Sequence, residues 1–304
     1  MKLVAILGPT GCGKTKFALD FANERREKFD QKWVVFNMDS RQIYQKMPLS
    51  SNLDLNFRGV PHFLFDFVDP ERVYSVMNYL NDFLETVRKV KKIGDATGIL
   101  LVGGTGLYLK MILQQEFIHL PRVEFAQKIE NMKNNLLEKK LDELQAMFIE
   151  KFSQDKYNGL NYSERNNKKR LQSKILAFES EKNQWENKIN FRKKFNSFNF
   201  DISIILMELE INCPNNLENI TKRLEQRLFF GLIDELEFLY NLLGEQRMAS
   251  LGMFQGIYCQ FKNGKVNKKE MLDLFILAEK QYQKRQLTYN KGQFKNWQEK
   301  ITVI

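Results

Sequence analysis

Lys14 and Thr15 close the run Gly8-Pro-Thr-Gly-Cys-Gly-Lys14-Thr15, which has the spacing G-x-x-x-x-G-K-[ST]. Glycines at this spacing let backbone N–H groups turn inward around phosphate oxygens. The lysine adds a point charge, and the threonine hydroxyl can ligate Mg2+. Such a loop has to leave a strand and open a helix, whose dipole adds to the attraction. The motif specifies a diphosphate or triphosphate, not a reaction. Asp39 follows in Asp39-Ser40-Arg41-Gln42-Ile43-Tyr44. A carboxylate at the end of a parallel strand lies near the phosphate loop. A general base, a Mg2+ ligand of an ordinary NTPase and a plain loop carboxylate all satisfy that position. Gly103-Gly104-Thr105-Gly106 makes another strand-to-helix turn. Successive glycines can form an anion-binding nest, admit a substrate closely, or serve packing alone.

Cations gather in two places. Arg165, Lys168, Lys169, Arg170 and Lys174 fall in a stretch without an acid. Lys280, Lys284, Arg285, Lys291 and Lys295 interleave with Tyr282, Tyr289 and Phe294. Lysine and arginine clusters with aromatics suit phosphate contacts and base stacking. An isolated cluster is more commonly a solvated helix face.

These residues need a scaffold. Lys2–Leu7, Trp33–Asn37 and Ile99–Val102 are short apolar runs, each ending close to one of the three turns. Phe17/Phe21 and Ala18/Ala22 repeat at helical spacing over Thr15–Lys28, and Ser75 can cap a helix running to Lys92. The alternation predicts an α/β fold, a P-loop NTPase-like parallel sheet flanked by helices. Residues 122–198 change character. They are rich in Lys, Glu, Asn and Gln, and Leu136, Leu137, Leu141, Leu144 and Phe148 recur near helical spacing. They read as a mostly helical insertion domain. Residues 202–211 read as a strand returning to the sheet, followed by helices. The core is then 1–121 with 199–304.

Composition narrows the class. With 43% hydrophobic and 28% charged residues, the chain is neither disordered nor membrane-like. No window approaches the roughly 18 apolar residues of a membrane span. The opening apolar run ends in the glycine loop, so it reads as a strand and not a signal peptide. Cys12, Cys213 and Cys259 form no CxxC pair, and His62 and His119 are the only imidazoles. Neither a disulfide framework nor a zinc site is indicated, and a reducing cytoplasm fits. The net charge of +10 fits either a polyanionic partner or a lysine-rich solvated surface.

Taken together, the segments resemble one family, tRNA dimethylallyltransferase, also called tRNA isopentenyltransferase, of the bacterial type. The matching stretches are GPTGCGKT, DSRQIY, GVPHFLFDFVDP (59–70), LVGGTGLYLK (101–110), RLEQRLFFGLIDEL (223–236), SLGMFQ (250–255) and KRQLTY (284–289), in the family's order. The resemblance implies transfer of a dimethylallyl group from dimethylallyl diphosphate to N6 of the adenosine next to the tRNA anticodon. It implies Thr10, Gly11, Cys12, Gly13, Lys14 and Thr15 as the diphosphate cradle, with Thr15 also on Mg2+. It implies Asp39, Thr105, Lys14 and Arg223 as the catalytic set, with Asp39 the base. Contacts to the anticodon stem-loop are implied for Asp39, Ser40, Arg41, Gln42 and Thr105. They are implied for Lys169, Arg170, Leu171, Gln172 and Ser173 in the insertion. They are implied also for Lys284, Arg285, Gln286, Leu287, Thr288 and Tyr289. A cytoplasmic monomer without membrane contact is expected.

The chain departs from the family pattern at Ser50–Leu53, usually Gly-Thr-Ala-Lys, and at Met253 and Phe254, usually Tyr-Lys. Two rivals remain. One is a small-molecule enzyme, an adenylate isopentenyltransferase or P-loop kinase. The basic insertion argues against it, because a nucleotide needs no such clamp. The other is a non-catalytic RNA-binding relative, against which intact Lys14, Asp39 and Thr105 argue.

Overall fold

The structure, a computed structural model, describes residues 1–54, 56–94, 96–114, 132, 134–181, 195–209, 214–294 and 301–303. Among them, β1 (Lys2–Leu7), β2 (Trp33–Asn37), β3 (His62–Phe63), β4 (Gly98–Gly103), β5 (Asp201–Leu206) and β6 (Ile301–Val303) form one sheet. Its order is β3-β2-β4-β1-β5-β6, and every pairing is parallel. The expected P-loop NTPase-like α/β fold is therefore present. β2 and β4 are buried along their whole length and β1 beyond Lys2. With both faces covered, such strands read as continuous apolar runs instead of alternating ones. The chain leaves β1 toward β2 and later crosses to β5 on the other side. That reversal puts a crevice at the carboxyl end of β1.

The flanking helices follow their sequence signals. α1 (Lys14–Phe29) buries Ala18, Leu19 and Ala22. Pro48–Ser51 forms the short α2. α3 (Val76–Ile93) is capped by Ser75 as expected. Ser75 Oγ accepts the Asn78 N–H at 3.2 Å, and Asn78 Oδ1 accepts the Ser75 N–H at 2.9 Å. Asparagine thus fills the reciprocal role that glutamate or glutamine usually takes in a capping box. α4 (Gly106–Gln114) opens from the β4 turn.

The expected strand over 202–211 is shorter, ending at Leu206. The reason lies in its neighbour. β1 stops at Leu7 where the phosphate loop begins, and the Met207 N–H makes the last bond to Leu7 O at 2.7 Å. Among the described residues β5 has no ladder partner beyond it on that side. Residues 210 and 211 lie outside the described residues, as do His119, Cys213, Lys295 and the expected insertion start at 122.

The chain divides into two compact units, 1–113 with 198–304, and 114–197. The second unit holds α5 (Leu141–Phe152), α6 (Gln154–Asn158), α7 (Tyr162–Asn166) and α8 (Lys168–Glu181). Its core is Leu136, Leu144, Phe148, Phe152, Leu160, Leu171 and Ile175. The first unit ends in α9 (Pro214–Phe229), α10 (Leu232–Leu251), α11 (Met253–Lys262) and α12 (Lys268–Phe294). These pack Leu236, Met248, Phe254 and Phe275 into a common core with Ile43 and Tyr44. The loop after β2 is thereby fastened to the C-terminal helices. Removing the Ser75 hydroxyl tests the local reading. Ser75→Ala should lower unfolding free energy by about 1 kcal/mol, read from the urea midpoint at unchanged slope.

Candidate active site

β1 delivers the chain to Gly8 at the crevice. Gly11 (φ 83°) and Gly13 (φ 87°) then take left-handed conformations that turn the loop. The Phe17 N–H bonds Gly13 O at 3.0 Å and starts α1. Lys14 Nζ donates to Pro9 O at 2.7 Å, so the lysine lies across its own loop. Burial pushes the Lys14 ammonium below the usual lysine range. The charges of Cys12 and Asp39 oppose that shift, and Arg223 reinforces it. A negative charge placed beside the lysine would favour the charged form again.

Arg223 of α9 reaches the loop from outside. A Cβ built on Gly11 would lie 1.8 Å from Arg223 Nη1, so a side chain there would displace the guanidinium as well as strain the left-handed backbone. Arg223 Nη2 and Arg227 Nη2 each donate to a different oxygen of Glu279, both at 2.6 Å. Glu279 is 4% exposed. Two cations thus share one buried anion, and a positive excess is left beside the phosphate loop. Arg227 also lies over the Phe254 ring at 4.9 Å. Arg223 was expected here. Arg227 and Glu279 were not, because nothing in their local sequence separates them from ordinary helix-surface charges.

The opposite wall comes from β2 and β4. Asn37, the last residue of β2, is fully buried. Its Oδ1 accepts the Asp39 N–H at 2.7 Å, and its Nδ2 donates to Asp39 O at 3.0 Å and Leu64 O at 2.8 Å. Asp39 Oδ1 accepts the Arg41 N–H at 2.9 Å. Asp39 Oδ2 has no hydrogen-bond partner among the described residues. Thr105 Oγ1 accepts the Ser40 N–H at 3.0 Å, and the Thr105 N–H bonds Met38 O at 3.1 Å. The Asp39 and Thr105 turns are therefore stitched into one surface. Tyr108 stacks on Tyr79 at 3.9 Å. Burial, with Tyr44 and Asp39 adding to it, raises the Tyr108 pKa and keeps the phenol protonated.

Between the two walls lies a cavity of about 340 Å³. Lys14, Thr15, Asp39 and Arg223 line its polar side, and Leu53, Phe57 and Phe65 its apolar side. Ser50, one of the departures from the family pattern, is bound in place. The Leu49 and Ser50 N–H groups donate to the Glu235 carboxylate at 2.7 and 2.8 Å, and Gln255 Nε2 donates to Ser50 Oγ at 2.7 Å. Gln42 Nε2 donates to Asn52 O at 2.9 Å and closes the same loop over the cavity.

The RNA-facing expectations divide. Lys169, Arg170 and Ser173 are exposed on α8, and Lys284, Arg285 and Thr288 on α12. Ser40, Arg41, Leu287 and Tyr289 are half-buried. Three side chains point into the fold instead. Leu171 (0% exposed) and Gln172 (8%) belong to the insertion core, where Gln172 Nε2 donates to Leu136 O at 2.6 Å. Gln286 is 5% exposed. For these three, packing takes the side chain that the motif assigned to RNA. Within the basic clusters, Lys174 pairs with Glu164 at 2.9 Å and Lys291 with Glu208 at 2.7 Å. Arg170 Nη1 donates to Ser163 Oγ at 2.7 Å. Lys169 Nζ has no partner among the described residues. Lys168, Lys169 and Arg170 occupy the first turn of α8, the end of a helix where cations are disfavoured.

Fold and site define a P-loop α/β protein whose loop can take a diphosphate or triphosphate opposite a carboxylate. Comparison with known proteins narrows this. The sequence model of the family described as IPP transferase matches residues 42–293. A tRNA dimethylallyltransferase 2 of Bacteroides fragilis is 31% identical over 300 residues, covering 95% of this chain and 88% of the relative. One of Treponema denticola is 31% identical over 302 residues, covering 96% and 92%. The fold matches the full-length tRNA isopentenylpyrophosphate transferase of Bacillus halodurans with a TM-score of 0.64 at 22% identity, covering 100% of this chain and 89% of that one. It matches a eukaryotic dimethylallyltransferase acting on tRNA with a TM-score of 0.70 at 19% identity, covering 100% and 74%. The chain belongs to the IPP transferase family.

The shared anion gives a direct test of the site. Glu279→Gln leaves two arginines without their buried counter-charge. It should cost about 3–5 kcal/mol of stability in denaturant titrations, the range for breaking a buried pair. Because a bound anion replaces part of that charge, inorganic pyrophosphate should raise the melting temperature of the variant more than that of the parent.

Proposed function

We propose that this chain transfers a dimethylallyl group from dimethylallyl diphosphate to N6 of the adenosine next to a tRNA anticodon. The observation that carries the reading is the uncommitted Asp39 Oδ2, at a carboxylate that lines the same cavity as Lys14 and Arg223. A base and an anion cradle face one another across a space with an apolar side. That is what an allylic diphosphate and an amine require.

The N6 amine is a weak nucleophile because its lone pair is delocalised into the ring. The target base leaves its stack to enter the cavity. N6 bonds to C1 of the allyl group as the C1–O bond breaks, and Asp39 takes the N6 proton. The diphosphate leaves with its charge neutralised by Lys14, Arg223 and the loop amides, the electrostatic contribution that usually dominates such catalysis. Leu53, Phe57 and Phe65 offer the five-carbon chain a dry wall.

A divalent cation fits this site. Among the described residues no three His, Cys, Asp or Glu side chains converge on one point. Thr15, exposed at the first turn of α1, offers a hydroxyl, and the diphosphate itself would supply most other oxygens, the binding mode Mg2+ favours. When bound, the ion would neutralise charge on the leaving group.

RNA contacts are assigned to Lys169, Arg170 and Ser173 on α8 and to Lys284, Arg285 and Thr288 on α12. The cations in the first turn of α8 support this. They oppose the helix dipole, and a phosphate there would be attracted by both the side chains and the helix end. Among the described residues no helix is long and apolar enough to cross a membrane, and the cytoplasm is the compartment proposed for a tRNA-modifying activity.

Two measurements follow. Asp39→Asn should lower the single-turnover rate by about 10²–10⁴-fold, the range for loss of a general base. Mg2+-dependent binding of the allylic diphosphate should persist, and a parallel fall in that affinity would reassign Asp39 to the metal. Lys169→Ala should weaken tRNA binding and reduce the log–log salt slope by about 0.7–0.9. The fold itself should be unchanged or more stable by about 0.3–1 kcal/mol, since a cation is removed from a helix N-terminus.

A further inference from the structure

The buried face of α12 changes character along its length. Met271 and Phe275 begin it and Phe294 ends it, while Glu279, Gln283, Gln286 and Asn290 lie between. All four are at most 5% exposed. Burying polar side chains is unfavourable unless they are bonded, so their partners matter. Glu279 holds Arg223 and Arg227. Gln283 Nε2 donates to Thr10 O at 2.9 Å, and Gln283 Oε1 accepts from Asn216 Nδ2 at 2.9 Å. Gln286 bridges two loops. Its Oε1 accepts the Thr10 N–H at 2.9 Å, and its Nε2 donates to Gly104 O at 3.2 Å.

That bridge joins the two halves of the site. Thr10 belongs to the phosphate loop. Gly104 belongs to the β4 turn, which Thr105 ties to Ser40 and Met38 beside Asp39. A Cβ on Gly104 would lie 1.9 Å from Gln286 Nε2, so a side chain there would displace this amide. The Thr10 N–H, being bound to Gln286, is withdrawn from the amides that can face a phosphate.

We propose that Gln286 is a positioning residue for the transfer. It fixes the separation between the diphosphate cradle and the Asp39–Thr105 wall while touching neither substrate. The proposal rests on the function given above. Misplacing reacting groups by about 1 Å can lower a rate by about 10²-fold without weakening either ligand, and that split separates positioning from binding.

The test uses the full-length protein with dimethylallyl diphosphate and an unmodified tRNA transcript. Gln286→Met keeps the length of the side chain and removes both bonds. Its single-turnover rate with both substrates bound should fall about 10–100-fold. Separate dissociation constants for the two substrates should stay within about threefold of the parent. Gln286→Glu changes one atom, keeps the acceptor for Thr10 and loses the donor to Gly104. It should show the same rate loss, and it carries the test if the methionine variant does not fold. Phe275→Leu loosens the same helix in its apolar section, and it should lower the melting temperature while sparing the rate. A parent-like rate in the folded Gln286 variants overturns the positioning role, as does a rate loss fully accounted for by weaker binding. Absence of transfer by the parent protein in the same assay overturns the proposed function instead.

Discussion

A glycine-rich phosphate loop has few side chains with which to hold its own shape, here the Lys14 bond to Pro9 O, and everything else at this site depends on how that is supplemented. Here the loop is held from outside. α9 lays Arg223 against Gly11, and α12 fixes Arg223 through Glu279 and grips Thr10 through Gln283 and Gln286. Glu279, Gln283 and Gln286 on that buried helix face each meet a partner, while the Asn290 amide meets none among the described residues. The arrangement is also directional. The one buried carboxylate between two arginines leaves a positive excess beside the phosphate loop.

The sheet sets the rest of the geometry. β1 stops at Leu7 because the loop must turn there, and the same stop ends β5 after Leu206. On the other side, β2 and β4 run on to Asn37 and Gly103, which brings Asp39 and Thr105 to the loop's level. Asn37 then spreads its three hydrogen bonds over the Asp39 loop and Leu64. The carboxylate is thereby presented with one oxygen engaged and one open. The departures from the family pattern are absorbed locally, as where Ser50 is bound by Glu235 and Gln255.

Much of this was legible in the residues. The three central strands, the helix capped by Ser75 and the phosphate loop each carry a local signal of apolar run, cap or glycine spacing. β3 and β6 were missed because two or three residues carry no periodicity, and only pairing with a neighbour defines them. Within the site, Lys14, Asp39, Thr105 and Arg223 were found by motif, and Arg227, Asn37 and Glu279 were not. The missed residues act through partners distant in sequence. A signal did exist on α12. Glu279, Gln283, Gln286 and Asn290 continue the buried register of Met271 and Phe275, and polar residues in a core register mark a helix that serves something other than packing. The side chains of Gln286, Leu171 and Gln172, read from the motif as facing RNA, are buried instead. A motif marks a segment, and burial decides which of its side chains face outward.

The most direct measurement is the nucleoside content of tRNA from the source cells, by mass spectrometry, with and without this chain. Prenyl transfer to tRNA predicts that N6-isopentenyladenosine disappears when the chain is removed. It should return with the parent sequence and stay absent with Lys14→Ala. Undiminished isopentenyladenosine in cells that lack the chain, with no other prenyltransferase present, would contradict it.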